Sequence, residues 1–214
     1  MTSISAFDLD HTLVHSNSSL LFFRHLIKEG ELHPLSLVRA LLYKTRYDLF
    51  GMELSELHRK VFCEFLQGRS LKGIQAQVEK FLKADFYRYL YIPAFARLRR
   101  AQHEGHHTVI ISNSPSFLVE PVAKYLGVSE WYSSHYLTDE KGTLQEVGSI
   151  LLGDGKANYL KKMIRKFKTT RDKVTAYSDS LIDLPFLQAA GKAIAVNPSE
   201  KLRKISEEES WEVI

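Results

Sequence analysis

The chain has 214 residues, a hydrophobic fraction of 44% and a net charge of +4, which is the composition of an ordinary folded protein. Its single cysteine, Cys63, excludes an internal disulfide, and the apolar neighbours of Cys63 predict a thiol packed in the core. No stretch approaches the roughly 18 apolar residues of a membrane helix, and no leader-like segment opens the chain, so we expect a soluble cytoplasmic protein. The absence of any Lys/Arg run longer than two residues argues against nucleic acid as a partner.

The chain begins as a strand and then becomes helical. Residues 4–9 predict a short strand, and the apolar spacing after them changes to that of helices. Pro34, Ser70 and the glycines between these segments are typical of helix ends, which places the predicted helices at residues 18–29, 34–51, 54–66 and 70–81. We therefore predict a helical-bundle cap at residues 16–92.

Strands and helices alternate after Pro93. The apolar runs predict strands at residues 108–112, 174–177 and 193–196, with helices at 93–104, 116–126, from about 156, and 182–190. A hairpin is predicted from residues 131–136 and 143–147 around the turn that contains Gly142. Such alternation indicates an α/β fold with a Rossmann-like parallel sheet, formed by residues 1–15 and 93–214.

Acidic residues follow two of the predicted strands at their carboxyl ends. Asp8 and Asp10 end the first strand, and Asp179 and Asp183 follow the strand at 174–177. In a parallel sheet these strand ends share one edge, where ligands bind in such folds. Four carboxylates there repel one another unless a cation lies among them, and their hard oxygen atoms favour Mg²⁺, which usually takes one or two carboxylates together with substrate phosphate. We therefore expect a Mg²⁺ site for a phosphorylated substrate.

Three further residues at this edge are suited to binding phosphate. Ser112 and Asn113 end the strand at 108–112, and Lys156 lies between that strand and the second acidic pair. A hydroxyl and an amide donate hydrogen bonds, and the lysine ammonium is a compact cation. Alone, Ser112 is equally well explained as a helix cap and Lys156 as a solvated cation; their order along the chain with the acids favours a phosphate site.

The set of residues resembles the motifs of the haloacid dehalogenase (HAD) superfamily of phosphatases. Four segments occur in that family's order and cover essentially the whole chain: Asp8-Leu-Asp10-His-Thr12, Ile110-Ile-Ser112-Asn113, Lys156, and Ser178-Asp179-Ser-Leu-Ile-Asp183. The helical insertion after the first segment is similar to that of the phosphoserine-phosphatase-like branch. The resemblance implies a HAD-like fold and a Mg²⁺-dependent phosphatase.

The resemblance also implies a role for each site residue. Asp8 would be the nucleophile that forms an aspartyl-phosphate, and Asp10 would be the general acid and then the base. Mg²⁺ would be held by Asp8, Asp179 and the backbone carbonyl of Asp10. Thr12 would support the site by orienting the nucleophile loop, and Asp183 would be either an acidic metal ligand or a supporting residue. The phosphoryl group would be bound by Ser112, Asn113 and Lys156.

Two positions depart from the family pattern. Ser178 replaces the usual glycine before Asp179, and we expect little effect because serine is also small. Asn17 stands where phosphoserine phosphatases carry a glutamate that pairs with the substrate ammonium. A neutral side chain cannot form that ion pair, so phosphoserine is disfavoured as the substrate, and Asn17 is also expected to cap the first helix.

These observations favour a phosphomonoesterase that hydrolyses a small phosphorylated metabolite. A phosphotransferase that passes the phosphoryl group to an alcohol would use the same residues and stays an alternative. A non-catalytic binding module is disfavoured because all four acids are present. The sequence predicts no particular oligomeric state.

The positive charge of the chain is concentrated in the predicted cap. Residues 16–92 contain 12 Lys and Arg against 8 Asp and Glu, whereas the other residues contain 17 of each. A basic cap would attract an anionic substrate over long range and raise the rate of encounter.

Overall fold

The computed structural model describes the backbone of residues 1–214 and every side chain except that of Asp48. The strands are β1 (Ile4–Phe7), β2 (His107–Pro115), β3 (Glu130–Thr138), β4 (Leu144–Ser149), β5 (Val174–Ser178), β6 (Lys192–Ala195) and β7 (Glu212–Val213). The α-helices of the described chain are α1 (Ser18–Lys28), α2 (Leu35–Phe50), α3 (Leu54–Phe65), α4 (Leu71–Ala84), α5 (Ile92–His103), α6 (Ser116–Leu126), α7 (Gly153–Lys166), α8 (Leu184–Ala189) and α9 (Glu200–Glu208). None of the described helices has the length and apolar character to cross a membrane.

The strands form one sheet in the order β4-β3-β2-β1-β5-β6-β7. All neighbours pair in parallel except β3 and β4, which form the predicted antiparallel hairpin. The chain adds β2 and β3 on one side of β1 and later adds β5, β6 and β7 on the other side. Crevices open beyond the carboxyl ends of the strands at such a change of direction. The predicted α/β class is confirmed. The acidic residues that follow β1 and β5 lie at the carboxyl ends of two neighbouring strands.

Helix ends follow the local signals in the sequence. The side chain of Asn17 accepts a hydrogen bond from the amide of Leu20 and caps α1, and Ser70 caps α4 by accepting from the amide of Gly73. Gly51 ends α2 at a φ of 69°, a left-handed conformation that glycine adopts without steric cost. The predicted helices of the first half therefore form with ends that differ from the prediction by at most three residues.

Two hydrophobic clusters lie on opposite faces of the sheet. One joins β1, α5 and α6 to the inserted helices through residues such as Phe62, Phe81 and Phe117. The other packs α7, α8 and α9 against the opposite face, with Leu160 and Phe186 fully buried. The inserted helices therefore share a continuous apolar core with the α/β part, while the division at residues 16 and 92 into two domains stays a prediction.

The structure differs from the sequence prediction at two places. Cys63 is exposed, so its prediction as a core thiol is wrong: α3 turns Phe62 and Phe65 inward, and Cys63 lies on another face. The second difference is that α9 and β7 were not predicted, because α9 is mostly charged and fully buries only one apolar side chain, that of Leu202. Helix α2 forms as predicted, and its Leu42 and Leu49 are exposed because α2 packs mainly against α1 and α3.

Candidate active site

Asp8 follows β1 directly and is held from three directions. Its backbone amide donates to the carbonyl of Tyr177 on β5 at 2.9 Å, which fixes the chain as it leaves the sheet. Its side-chain oxygen Oδ1 accepts a hydrogen bond from the amide of Leu9 at 2.8 Å and lies 2.9 Å from the ammonium of Lys156. Oδ2 has no hydrogen-bond partner among the described residues. One oxygen is thus fixed, and the other is available to a ligand.

Lys156 lies in the first turns of α7 and is 1% exposed, so its ammonium is fully desolvated. Asp183 neutralises it at 2.6 Å, and the same Asp183 oxygen accepts a hydrogen bond from the hydroxyl of Ser178 at 2.7 Å. Burial alone would lower the pKa of Lys156, but the carboxylates of Asp8 and Asp183 outweigh it and raise the pKa above its ordinary value. Lys156 therefore stays charged beside Asp8, with Asp183 behind it.

Asp10 is fixed by three donors. Its Oδ1 accepts from the amide of Ser18 at 2.8 Å, and its Oδ2 accepts from the hydroxyl of Ser114 at 2.7 Å and from the side-chain amide of Asn17 at 3.2 Å. The amide of Ser18 belongs to the first turn of α1, whose free N–H groups favour an acidic partner. The first inserted helix thus positions the carboxyl group that follows β1.

Thr12 connects the loop after β1 to the loop after β5. Its hydroxyl donates to Oδ1 of Asp179 at 3.2 Å and accepts from the amide of the same residue at 3.1 Å. The turn before Thr12 is tight, because His11 adopts a φ of 56° in the left-handed region. Burial raises the pKa of Asp179 to about 6, although the nearby His11 acts in the opposite direction and lowers it. The two hydrogen bonds to Asp179 are the contacts through which Thr12 would play its predicted supporting role.

The predicted phosphate-binding residues occupy different depths. Ser112 is fully buried and accepts a hydrogen bond from the amide of Ser114, whereas Asn113 borders the open cavity. Lys156 lies behind Asp8, 2.9 Å from its Oδ1, and is not among the residues that line the cavity. The sequence places Ser114 at the same edge of the sheet, two residues after Ser112, but sequence reasoning assigned no role to it; in the structure it donates to Asp10.

A cavity of about 330 Å³ opens over Asp8, Asp10 and Asp179 and extends between the inserted helices. Sequence reasoning also missed the residues at its far wall. There, Nδ1 of His58 on α3 lies 2.7 Å from the hydroxyl of Tyr136 on β3. Burial lowers the pKa of His58 to about 4. Only the tertiary fold brings these two residues together, since they are 78 positions apart in the chain.

The acidic groups of the site fit a hard divalent cation. Burial raises the pKa of Asp8, with Asp183, Asp179 and Asp10 adding to the effect and Lys156 opposing it. Among the described residues, no cluster of three or more His, Cys, Asp or Glu side chains is arranged as a metal site. The predicted donor set is two carboxylates and a backbone carbonyl, and Mg²⁺ commonly completes such a set with water and phosphate oxygens. The donor chemistry therefore fits Mg²⁺.

The family model of haloacid dehalogenase-like hydrolases matches residues 6–188 of the chain. That range runs from the strand before Asp8 to the helix after Asp183 and includes every predicted site residue. The chain belongs to the haloacid dehalogenase-like hydrolase family, and the prediction of an enzyme of the phosphatase class is confirmed.

Relatives with assigned activities are similar over the full chain. The chain is 27% identical over 226 aligned positions to the phosphoserine phosphatase SerB1 of Mycobacterium tuberculosis, covering 100% of this chain and 70% of that protein. It is 26% identical to a histidinol-phosphatase of Neisseria meningitidis serogroup C, covering 100% and 99% of the two chains. A crystal structure of a protein from Bordetella pertussis Tohama I superposes with a TM-score of 0.87 at 24% identity, covering 100% and 99%, which shows the shared fold.

Proposed function

We propose that this phosphatase is a Mg²⁺-dependent phosphomonoesterase that hydrolyses a small phosphorylated metabolite through an aspartyl-phosphate on Asp8. The observation that carries the proposal is the geometry of the two acids after β1. Asp8 is paired with a buried cation and keeps one oxygen without a partner, while Asp10 is fixed beside the same cavity by three donors. A nucleophile and a proton carrier are thereby assigned to separate carboxyl groups.

In the first step the carboxylate of Asp8 attacks phosphorus and the bond from phosphorus to the ester oxygen breaks. Asp10 gives its proton to the departing oxygen, so the alcohol leaves neutral. Lys156, held by Asp183, balances the charge of Asp8 and of the phosphoryl group, and preorganised charges of this kind supply much of the catalysis in phosphoryl transfer. In the second step Asp10 takes a proton from water, the water oxygen bonds to phosphorus, and the bond to Asp8 breaks to release phosphate.

Mg²⁺ would be held by Asp8, Asp179 and the backbone carbonyl of Asp10, and it supplies neutralisation of charge on the phosphoryl oxygens. Thr12 holds Asp179 in place through two hydrogen bonds. Ser112 and Asn113 are assigned to the phosphoryl oxygens, with Asn113 at the open side.

Asn17 supports the choice of a substrate other than phosphoserine. Its side-chain oxygen caps α1 and its side-chain nitrogen donates to Asp10, so both polar atoms are engaged within the protein. No carboxylate replaces it as a partner for a substrate ammonium at this position. Because relatives are named phosphoserine phosphatase and histidinol-phosphatase, both phosphoesters belong in the test panel.

The test is release of inorganic phosphate from phenyl phosphate, phosphoserine and histidinol phosphate, with and without Mg²⁺. We expect activity to be lost with EDTA, restored by Mg²⁺, and reduced about a thousandfold or more in Asp8→Asn. Asp172→Asn, at a highly exposed aspartate, is the matched control and should keep full activity. Peptide mass spectrometry of acid-quenched enzyme should find phosphate on the peptide that contains Asp8.

Full activity in Asp8→Asn or in EDTA would refute the proposal. Added alcohols test the alternative of phosphoryl transfer: a new phosphoester in place of inorganic phosphate would identify a phosphotransferase.

A further inference from the structure

The cavity beyond the two acids has mostly apolar walls. Its sides are formed by aromatic and aliphatic residues of the inserted helices and of α6, including Phe22, Phe23, Leu57, Val61 and Phe117. Lys44 and Tyr47 of α2 also border it. At about 330 Å³ it is within the size range of pockets that enclose small organic ligands. An apolar chamber of this kind suits the organic part of a phosphomonoester and disfavours a zwitterion such as phosphoserine.

His58 and Tyr136 form a hydrogen-bonded polar pair in this wall. His58 and Tyr136 both border the cavity, and the hydrogen bond between Nδ1 and the hydroxyl is the only one that either side chain makes among the described residues. Nε2 of His58 therefore has no hydrogen-bond partner among the described residues. The buried polar atoms that lack a partner in the described chain do not include Nε2, so this atom is not fully buried. It is accessible to a ligand in the cavity.

The hydrogen bond also allows the imidazole proton to be assigned. Nδ1 of His58 is the only acceptor that the hydroxyl of Tyr136 has among the described residues, so donation by the imidazole would leave the phenol proton without a protein partner. We therefore assign Tyr136 as the donor to Nδ1. A neutral imidazole then carries its hydrogen on Nε2, and burial keeps His58 neutral by lowering its pKa. His58 thus presents a hydrogen-bond donor at Nε2.

We propose that this cavity selects phosphomonoesters whose organic part is uncharged and largely apolar and carries a hydrogen-bond acceptor that is bound by Nε2–H of His58. The proposal rests on the phosphatase function proposed above and adds the substrate class. His58 acts as a specificity-determining residue, and Tyr136 is a positioning residue that acts through it. Recognition by one donor in an apolar pocket discriminates strongly, because a substrate without the acceptor leaves the donor unpaired.

The test compares two phosphate esters that differ by a single ring atom. Phenethyl phosphate has an apolar organic part without an acceptor, whereas pyridylethyl phosphate, in its three positional isomers, adds a ring nitrogen. The two alcohols leave with similar ease. At mildly alkaline pH, where the pyridine is uncharged, we expect kcat/KM of the best isomer to exceed that of phenethyl phosphate by about tenfold. Phosphoserine should be a poorer substrate than either.

Variants assign the preference to the proposed residues. His58→Leu should reduce the ratio of the two kcat/KM values to about one. Tyr136→Phe removes one oxygen atom and should lower the ratio without loss of folding, as checked by circular dichroism. The matched controls are His33→Leu and Tyr125→Phe, both at exposed positions, and both should keep the wild-type ratio.

The outcomes separate this proposal from the general one. No phosphate release from any ester would overturn the proposed phosphatase chemistry itself. Release that depends on Asp8 but shows equal kcat/KM for the two ring esters would overturn the inference about the cavity alone. A ratio that persists in both His58→Leu and Tyr136→Phe, or a preference for phosphoserine, would overturn it as well.

Discussion

His58 provides a test of the cavity that does not depend on any substrate. The structure places its imidazole in a largely buried site where the neutral form is preferred and the pKa falls to about 4. In the unfolded chain the same side chain has a pKa of about 6.5. Between these values the unfolded chain binds more protons than the folded chain, so the free energy of unfolding decreases as the pH falls from about 6.5 towards 4. The contribution of His58 is fully present above that range.

The size of the effect follows from the two pKa values. Lowering the pH from about 7 to about 5 reduces the free energy of unfolding by about 2 kcal/mol through His58 alone. His58→Gln removes this titration. Between about pH 7 and about pH 5, the free energy of unfolding of the variant should therefore fall by about 2 kcal/mol less than that of the wild type. His25 is also buried with a lowered pKa, but it titrates in both proteins and cancels in the comparison.

The assay is urea unfolding followed by circular dichroism at the two pH values, for the wild type and for His58→Gln. His33→Gln, at an exposed position of the cap, is the matched control and should keep the wild-type pH dependence. Equal changes in stability for wild type and His58→Gln would refute the burial of a neutral His58.

Three further substitutions probe the site and its support. Asp183→Asn removes the charge behind the buried lysine and should lower kcat about 10- to 100-fold, measured by phosphate release. Gly153→Ala places a Cβ atom 2.0 Å from the carbonyl oxygen of Ile182, so it should destabilise the fold by about 2–4 kcal/mol in urea unfolding. Asn17→Asp keeps the helix cap but replaces a donor to Asp10 with a second negative charge, so kcat should fall about tenfold with little change in Tm.

Each of these substitutions has a control. Asp172→Asn, at an exposed carboxylate, should leave kcat unchanged, and an equal loss in both variants would contradict the role of Asp183. Gly73→Ala lies in α4 without a close contact and should be neutral or stabilising; a Gly153→Ala protein as stable as the wild type would contradict the packing at Ile182. Asn17→Ser keeps a neutral cap, so it should retain more activity than Asn17→Asp.

The sheet and most of the helices follow from local patterns in the sequence. Apolar runs that end in acids predicted β1 and β5, and glycine, proline and serine predicted the ends of the inserted helices. These signals are local because the strands are buried on both faces and because capping is a contact between near neighbours. The prediction failed for α9, whose charged sequence resembles a solvated segment, and for Cys63, whose orientation depends on which side of α3 packs.

The sequence by itself determined which residues stand at the ends of the strands, since the order of Asp8, Ser112, Lys156 and Asp179 along the chain is enough to indicate phosphoryl transfer. Only the tertiary structure decided what lies beside them. The pairing of His58 with Tyr136 joins two distant segments, and no local spacing encodes such a contact. In the proposed function, the chemistry of the reaction is carried by short motifs, whereas the choice of substrate depends on how the inserted helices pack over the sheet, which is a property of the whole chain.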